Sequence, residues 1–170
     1  MKSFNYIFLL ILFVVALTAC KEDFLDLKPE YAIDSETALE DSAKLESFIT
    51  GIYDLKSYWY YEGHVIMSSD ARGGDVVVRN YSNYGRFVPD YQFNIVTTYY
   101  MADYVWLYAF KTITAANLVI NSVPENDFGE VYKNEVLAEA RALRANAYLH
   151  LLNFFCHPYS VDPNGLGLPI

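Results

Sequence analysis

The sequence predicts a mainly α-helical chain of antiparallel helical hairpins with one long irregular loop region. Three observations carry the prediction. Residues 130–157, EVYKNEVLAEARALRANAYLHLLNFFCH, hold no Gly or Pro and are rich in the good helix formers Ala, Leu, Glu and Arg. Residues 98–121 repeat aromatic and aliphatic side chains at three- and four-residue steps and stop before Pro124. Between residues 57 and 97, by contrast, periodicity is slight, a Gly-Gly pair interrupts the chain, and Pro89 follows.

The amino terminus reads as an address. Met1 and Lys2 precede an uninterrupted apolar run, Tyr6 to Leu17, too short to span a bilayer and suited to a signal-peptide core. Leu17-Thr18-Ala19-Cys20 then resembles a bacterial lipobox. It predicts a lipoprotein signal peptide over residues 1–19, cleavage before Cys20 and lipid on its thiol. Ordinary cleavage after Ala19 is the competing reading, but Leu17 is too large for the position it would occupy. Several acyl chains, each buried CH₂ contributing about 0.8 kcal/mol, make such an anchor stable. With Cys20 lipidated, Cys156 is the one thiol left and no intrachain disulfide forms. Lys21-Glu22-Asp23 resembles the signal that sends Bacteroidetes lipoproteins to the outer face of the outer membrane.

Residues 20–33 have no period and contain Pro29, which predicts a lipidated tether. Asp34 is the expected N-cap of a first helix running to about Ser57. Its apolar face is Leu45, Phe48, Ile49, Ile52 and Tyr53, with Gly51 accommodated inside at about 1 kcal/mol and suggesting close backbone packing. The region after Ser57 holds Tyr58-Trp59-Tyr60-Tyr61, then SSDARGGD from Ser68 to Asp75, then Val76-Val77-Val78 as a brief strand or extended chain. Long connections without secondary structure tend to be functional.

The second helix, from near Thr98 to about Asn121, has Trp106, Phe110, Ile113, Asn117 and Ile120 on one side. Tyr100, Tyr104 and Tyr108 mark another, expected to lie in the core between helices. Asn121 to Gly129 is a short connector, so the second and third helices form an antiparallel hairpin. On the third helix, Val136, Ala140, Leu143, Ala147, Leu151 and Phe154 form the apolar face, widened by Leu137, Tyr148, Leu152 and Phe155. Ala138, Ala142 and Ala145 border it, small enough for close helix contact. Arg141 and Arg144 fall inside the apolar arc with no acidic residue three or four positions away. A buried guanidinium needs a partner, so carboxylates from elsewhere are expected to meet them; the other reading is that both snorkel to the surface. Past Pro158, Asp162-Pro163-Asn164-Gly165 reads as a turn.

Composition excludes some functions. The net charge is −9 and no basic stripe exists, which argues against nucleic-acid binding. His150, Cys156 and His157 do not have metal-site spacing. No nucleophile elbow, zincin motif or phosphate-cradling glycine loop is present, so neither a metal nor a cofactor is expected.

Four stretches carry a family resemblance: Cys20 followed by DFLDLKP; AANLVINSVPE, residues 115–125; EARALRANAYLHLLNFF, residues 139–155; and the tail GLGLPI. In this order they resemble the amino-terminal part of the SusD/RagB family of Bacteroidetes outer-membrane nutrient-binding lipoproteins. The chain departs from it at Cys156-His157-Pro158, where members usually have a glycine-containing turn. The resemblance implies a mostly helical fold with tetratricopeptide-like hairpins, residues 34–170 being the amino-terminal part of a SusD-like domain whose carboxy-terminal part is absent. It implies no catalysis, docking on a SusC-like TonB-dependent transporter, and capture of glycan, or sometimes peptide, at the outer membrane. A piece lacking that part is expected to be poorly soluble or partly unfolded, because its longest helix is apolar over half its circumference.

Sugars present C–H patches to aromatic rings and vicinal hydroxyls to planar polar groups. The stretch from Asp70 to Tyr84 has this chemistry, and members draw part of their site from the loop after the first helix. The ligand-binding candidates are therefore Asp70, Arg79 and Tyr81, with Trp59 as a second platform; the bland alternatives are a solvated loop and a tryptophan packed over a helix end. A glycoside hydrolase would need two carboxyls about 5–9.5 Å apart; Asp70 and Asp75 are a possible pair, but 21 acidic residues always offer pairs. A structural or adhesive surface lipoprotein is the third class.

Overall fold

The computed structural model describes residues 38–169. The signal segment, Cys20, the tether to Ile33 and the proposed cap Asp34 lie outside the described residues. Helix α1 spans Ser42–Ser57 and is capped by Asp41, whose carboxylate accepts from the Lys44 amide at 2.8 Å. Leu45, Ile49 and Ile52 are buried along it, as their spacing predicts. Gly51 is exposed, and a Cβ there would meet nothing within 4 Å, so the expected close packing at this glycine does not occur. Tyr53 is half-exposed, its hydroxyl donating to Glu139 at 2.9 Å.

The stretch read as irregular is partly helical. Trp59–Gly63 form a π-helical turn, and helix α2 follows directly over His64–Gly73. Their buried residues are Tyr61, His64, Ser68 and Ala71, spaced at helical steps but mostly polar or small. A hydrophobic pattern cannot reveal such a helix, because its inward face is not hydrophobic. Gly74, at φ 83°, ends it by donating its N–H to the Asp70 carbonyl, a left-handed closure suited to glycine. Val76-Val77-Val78 is extended and not a strand; Val76 and Val78 pack inward while Val77 is exposed. Helix α3 is one turn, Val88–Tyr91, with Pro89 in its first turn.

Helix α4, Tyr100–Ser122, and helix α5, Glu130–Phe155, are joined through a 3₁₀ turn at Val123–Glu125. One core cluster joins Leu45 and Ile52 of α1 to Val119 near the end of α4 and Val136 near the start of α5. A second joins Tyr61 to Val105 near the start of α4 and Leu151 near the end of α5. The two clusters fix α4 and α5 as an antiparallel hairpin, with α1 against one end and the π-helical turn against the other. Ala109, Ala116, Ala140 and Ala147 are fully buried where α4 and α5 meet; small side chains let helix axes approach. The bordering alanines Ala138, Ala142 and Ala145 are exposed instead.

The buried stripe of α4 is Met101, Val105, Ala109, Thr112, Ile113, Ala116 and Val119, running between its two expected faces. The tyrosine stripe is therefore not inter-helix core. Tyr100 is exposed and Tyr104 and Tyr108 are half-buried. They meet the tyrosines of the preceding turn: Tyr58 stacks on Tyr108 at 4.4 Å and Tyr60 on Tyr104 at 4.9 Å between ring centroids. Neither arginine of α5 finds a carboxylate among the described residues. Arg141 is exposed, as the snorkelling reading holds, whereas Arg144 donates from Nη1 to the Asn117 amide oxygen at 2.8 Å. Among the described residues there is no strand, and no helix is long and apolar enough to cross a membrane. The fold is mainly α-helical.

Candidate functional site: a pinned surface loop

The four candidate residues do not form one cluster. Asp70 sits on α2, where its main-chain oxygen accepts from the Gly74 and Asp75 amides. Arg79 and Tyr81 lie beyond the glycine pair, both exposed, with the guanidinium 5.9 Å from the ring centroid of Tyr81. That distance is at the edge of a cation–π interaction. No hydrogen bond or ion pair joins Asp70 to either residue. Trp59 opens the π-helical turn and is half-exposed, its ring resting on Gly63, where an added Cβ would come within 2.7 Å of the indole.

The loop around Arg79 and Tyr81 has unusual backbone geometry. Ser82, Tyr84 and Phe87 have φ of 57–59° and Phe93 has 52°, all without being glycine. Each such residue costs about 1 kcal/mol or more and persists only where the surroundings over-determine it. Asn83 provides part of that constraint. Its side-chain oxygen accepts from the Gly85 amide at 2.9 Å and its amide donates to the Arg86 carbonyl at 3.1 Å. Held this way, Tyr81 and Tyr84 stand 69% and 96% exposed. Large rings so exposed on a constrained loop are available to a ligand.

Both ends of the loop are tied to one buried carboxylate. Asp90, on α3, is wholly buried. Its Oδ1 accepts from the Ser68 hydroxyl and from Arg72 Nη2 at 3.0 Å, both on α2. Oδ2 accepts from the Tyr99 hydroxyl at 2.8 Å, just before α4. An ion at that depth is tolerable only with this degree of pairing. His64 lies beside the group, its Nε2 3.9 Å from Asp90 Oδ2 and its ring stacked on Phe87 at 4.8 Å. Burial pushes the His64 pKa down to about 4; Asp90 opposes that shift and Arg72 adds to it. Burial also raises the Tyr99 phenol, and its hydrogen bond to Asp90 raises it further. The imidazole is therefore neutral at pH 7.

Sequence reasoning selected Asp70, Arg79 and Tyr81 by residue type and missed the Asp90 group altogether. Residues 64, 68, 72, 90 and 99 are separated by steps that announce no motif, and only the 64–68–72 spacing hinted at a shared helix face. Among the described residues, no group of three or more His, Cys, Asp or Glu is placed to hold a metal ion.

The chain was compared with known proteins. Residues 23–165 match the SusD-like family model described as starch-binding associating with outer membrane. A SusD-like protein of Bacteroides ovatus is 29% identical over 171 aligned positions, which cover 96% of this chain and 30% of that protein. The chain thus spans under a third of the length of the curated relative it matches. No solved structure matches it. With most of its length inside the family model, and with a helical fold of the kind that resemblance implies, the chain belongs to the SusD-like family of starch-binding proteins that associate with the outer membrane.

Proposed function

We propose that this chain contributes to glycan capture at the cell surface, with the loop of Arg79, Tyr81 and Tyr84 as a contact surface. The carrying observation is the exposure of two tyrosine rings on a backbone held in left-handed geometry and tied down by Asp90. A pyranose lays its C–H face on an aromatic ring while its hydroxyls bond to a planar group such as the Arg79 guanidinium. Rings fixed before binding avoid the ordering cost that a mobile loop would incur. Asp70 and Trp59 are flanking contacts in this reading. Cys20 supplies a lipid anchor after removal of residues 1–19, residues 20–33 tether the helical domain to the outer membrane, and the captured glycan passes to a SusC-like TonB-dependent transporter. Binding without turnover is the expected behaviour, so no catalytic residue is assigned.

Affinity electrophoresis through starch, glycogen and other polysaccharides tests the capture reading, with a reducing-sugar assay run alongside. Retardation of the wild-type chain, lost in a Tyr81→Ala, Tyr84→Ala double variant, is the expected result. Release of reducing ends would instead make the protein a glycoside hydrolase, and absence of any retardation would favour a structural or adhesive surface protein. Labelling of the intact cell-surface protein with radioactive fatty acid, abolished by Cys20→Ser, tests the anchor. Co-purification of a TonB-dependent transporter from detergent-extracted outer membrane tests the partner.

A further inference from the structure

Four tyrosines meet as two stacked pairs on the side of the molecule where α1 ends. Tyr58 is the C-cap of α1, where the backbone leaves the helix at φ −56° and ψ 130°. Tyr60 follows it in the π-helical turn, with ring centroids 5.6 Å apart. On α4, Tyr104 and Tyr108 are one helical turn apart on one face, and their centroids are separated by 6.2 Å. The two spacings are close, so the rows can lie ring against ring. Tyr58 stacks on Tyr108 at 4.4 Å with the planes 21° apart, and Tyr60 on Tyr104 at 4.9 Å and 24°.

Three features single out the first pair. It is the closer and the more nearly parallel of the two. Its phenol ends adjoin as well as its ring planes, because hydrogen bonding to the Tyr108 phenol is the chief cause that raises the Tyr58 pKa. The carbons ortho to the two hydroxyls, the positions at which phenoxyl radicals couple, are therefore neighbours too. Tyr58 is also 38% exposed, which leaves it open to an oxidant in solution. The far more exposed Tyr81, Tyr84 and Tyr159 abut no other aromatic ring among the described residues, so they can couple only with another molecule.

We propose that Tyr58 and Tyr108 are an oxidative cross-linking site, joined ring to ring as dityrosine by hydrogen peroxide and a haem peroxidase. Each phenol gives up one electron and its hydroxyl proton. The two phenoxyl radicals form a carbon–carbon bond between ortho positions, and the two ortho hydrogens move to the oxygens as the rings regain aromaticity. The two electrons and two protons released reduce one hydrogen peroxide to two water molecules. Partners already in contact react as one molecule, so coupling within the chain outruns coupling between chains. The bond closes residues 58–108 into a covalent ring. That segment carries α2, Asp90 and the loop of Tyr81 and Tyr84. Closing a long loop takes freedom from the unfolded chain, as a disulfide does. Peroxide would thus fasten the segment that bears the exposed rings, whether or not those rings hold a glycan.

The test exposes the full chain, at a low and a high protein concentration, to a haem peroxidase with limiting hydrogen peroxide. The monomer band from a denaturing gel is digested with trypsin and read by mass spectrometry. Peptides 57–72 and 87–111 should appear joined, with the loss of two hydrogen atoms, and in the same yield per chain at both concentrations. Tyr58→Phe and Tyr108→Phe keep the stacked rings but lack a coupling phenol. Each should remove the joined peptides while far-UV circular dichroism stays unchanged. Tyr60→Phe should leave them in place, and the cross-linked monomer should unfold at a higher temperature than the untreated chain. The proposal is overturned if wild-type monomer yields no joined peptides, or if their yield rises with protein concentration. It is equally overturned if they persist in Tyr58→Phe or Tyr108→Phe, or vanish in Tyr60→Phe, since the bond then belongs to other rings. An unchanged unfolding temperature would overturn the fastening role.

Discussion

The His64 imidazole makes a quantitative prediction about acid stability. Folded, it takes up a proton only near pH 4, against 6.5 for the free side chain. Between those values the unfolded chain binds more protons than the folded one, so acid favours unfolding. Stability from this group is complete above pH 6.5 and is lost as pH falls toward 4. At about 1.36 kcal/mol per pKa unit, the loss reaches about 2.5 kcal/mol at pH 4.5. The groups facing the ring are Asp90, Arg72, Phe87 and Tyr99. Phenylalanine at position 64 keeps the stack on Phe87 and cannot titrate. Urea unfolding followed by aromatic fluorescence, at pH 7.5 and 4.5, gives the loss for wild type and for His64→Phe. Other carboxylates titrate in both proteins and cancel in the comparison. Wild type should lose about 2.5 kcal/mol more than the variant across this window. Equal losses would refute the reasoning, as would an NMR titration placing the His64 midpoint near its free value.

Gly63→Ala puts a Cβ 2.7 Å from the Trp59 ring, which is half-exposed and able to swing away; tryptophan emission should shift to the red with a stability change near 1 kcal/mol or less. Asn117→Ala removes the acceptor that the half-buried Arg144 has among the described residues and should cost about 1.5–3 kcal/mol in urea unfolding, as for a hydrogen bond to a charged group. Arg141→Ala, on an exposed side chain of the same helix, should stay within about 0.5 kcal/mol. Because Trp106, Leu107, Leu149, Leu152 and Phe155 are all exposed, the unlipidated chain should self-associate on concentration; sedimentation velocity showing a monomer at high concentration would contradict this.

How much of this was legible follows from what each element buries. The face of α5 from Val136 to Leu151 was readable because it buries aliphatic groups at every inward position. Helix α2 was not, since its inward positions are His64, Ser68 and Ala71 and their burial depends on a carboxylate far along the chain. The cap of α1 is Asp41, which the local rule could not single out, because any acidic residue before an apolar run satisfies it and only the bond from the Lys44 amide distinguishes the one that caps this helix. The tyrosine stripe misled for a related reason. Spacing shows that Tyr100, Tyr104 and Tyr108 share a face, but not whether that face meets a helix or a turn carrying Tyr58 and Tyr60. The candidate loop was selected by residue type, and its left-handed residues have no sequence signature apart from Asn83 and Gly85.

The two features that sequence missed explain one another. Four non-glycine residues in left-handed geometry between positions 82 and 93 represent roughly 4 kcal/mol of backbone strain, at about 1 kcal/mol each. Ser82, Tyr84 and Phe93 face solvent and only Phe87 of the four is buried, against His64, so the loop's own packing cannot sustain that. The restraint has to come from its ends, and both ends converge on Asp90: α2 reaches it through Ser68 and Arg72, and the exit to α4 through Tyr99. Those three hydrogen bonds hold the ends together, and removing any one donor would leave the buried carboxylate short of a partner. The group that fixes the loop also fixes Arg72, whose Nη2 is shared between Asp90 and Ser68. A buried ion pair is a poor source of net stability. Its value here is geometric: one carboxylate joins α2, α3 and the entry to α4, the elements from which the loop of exposed rings departs and to which the chain returns.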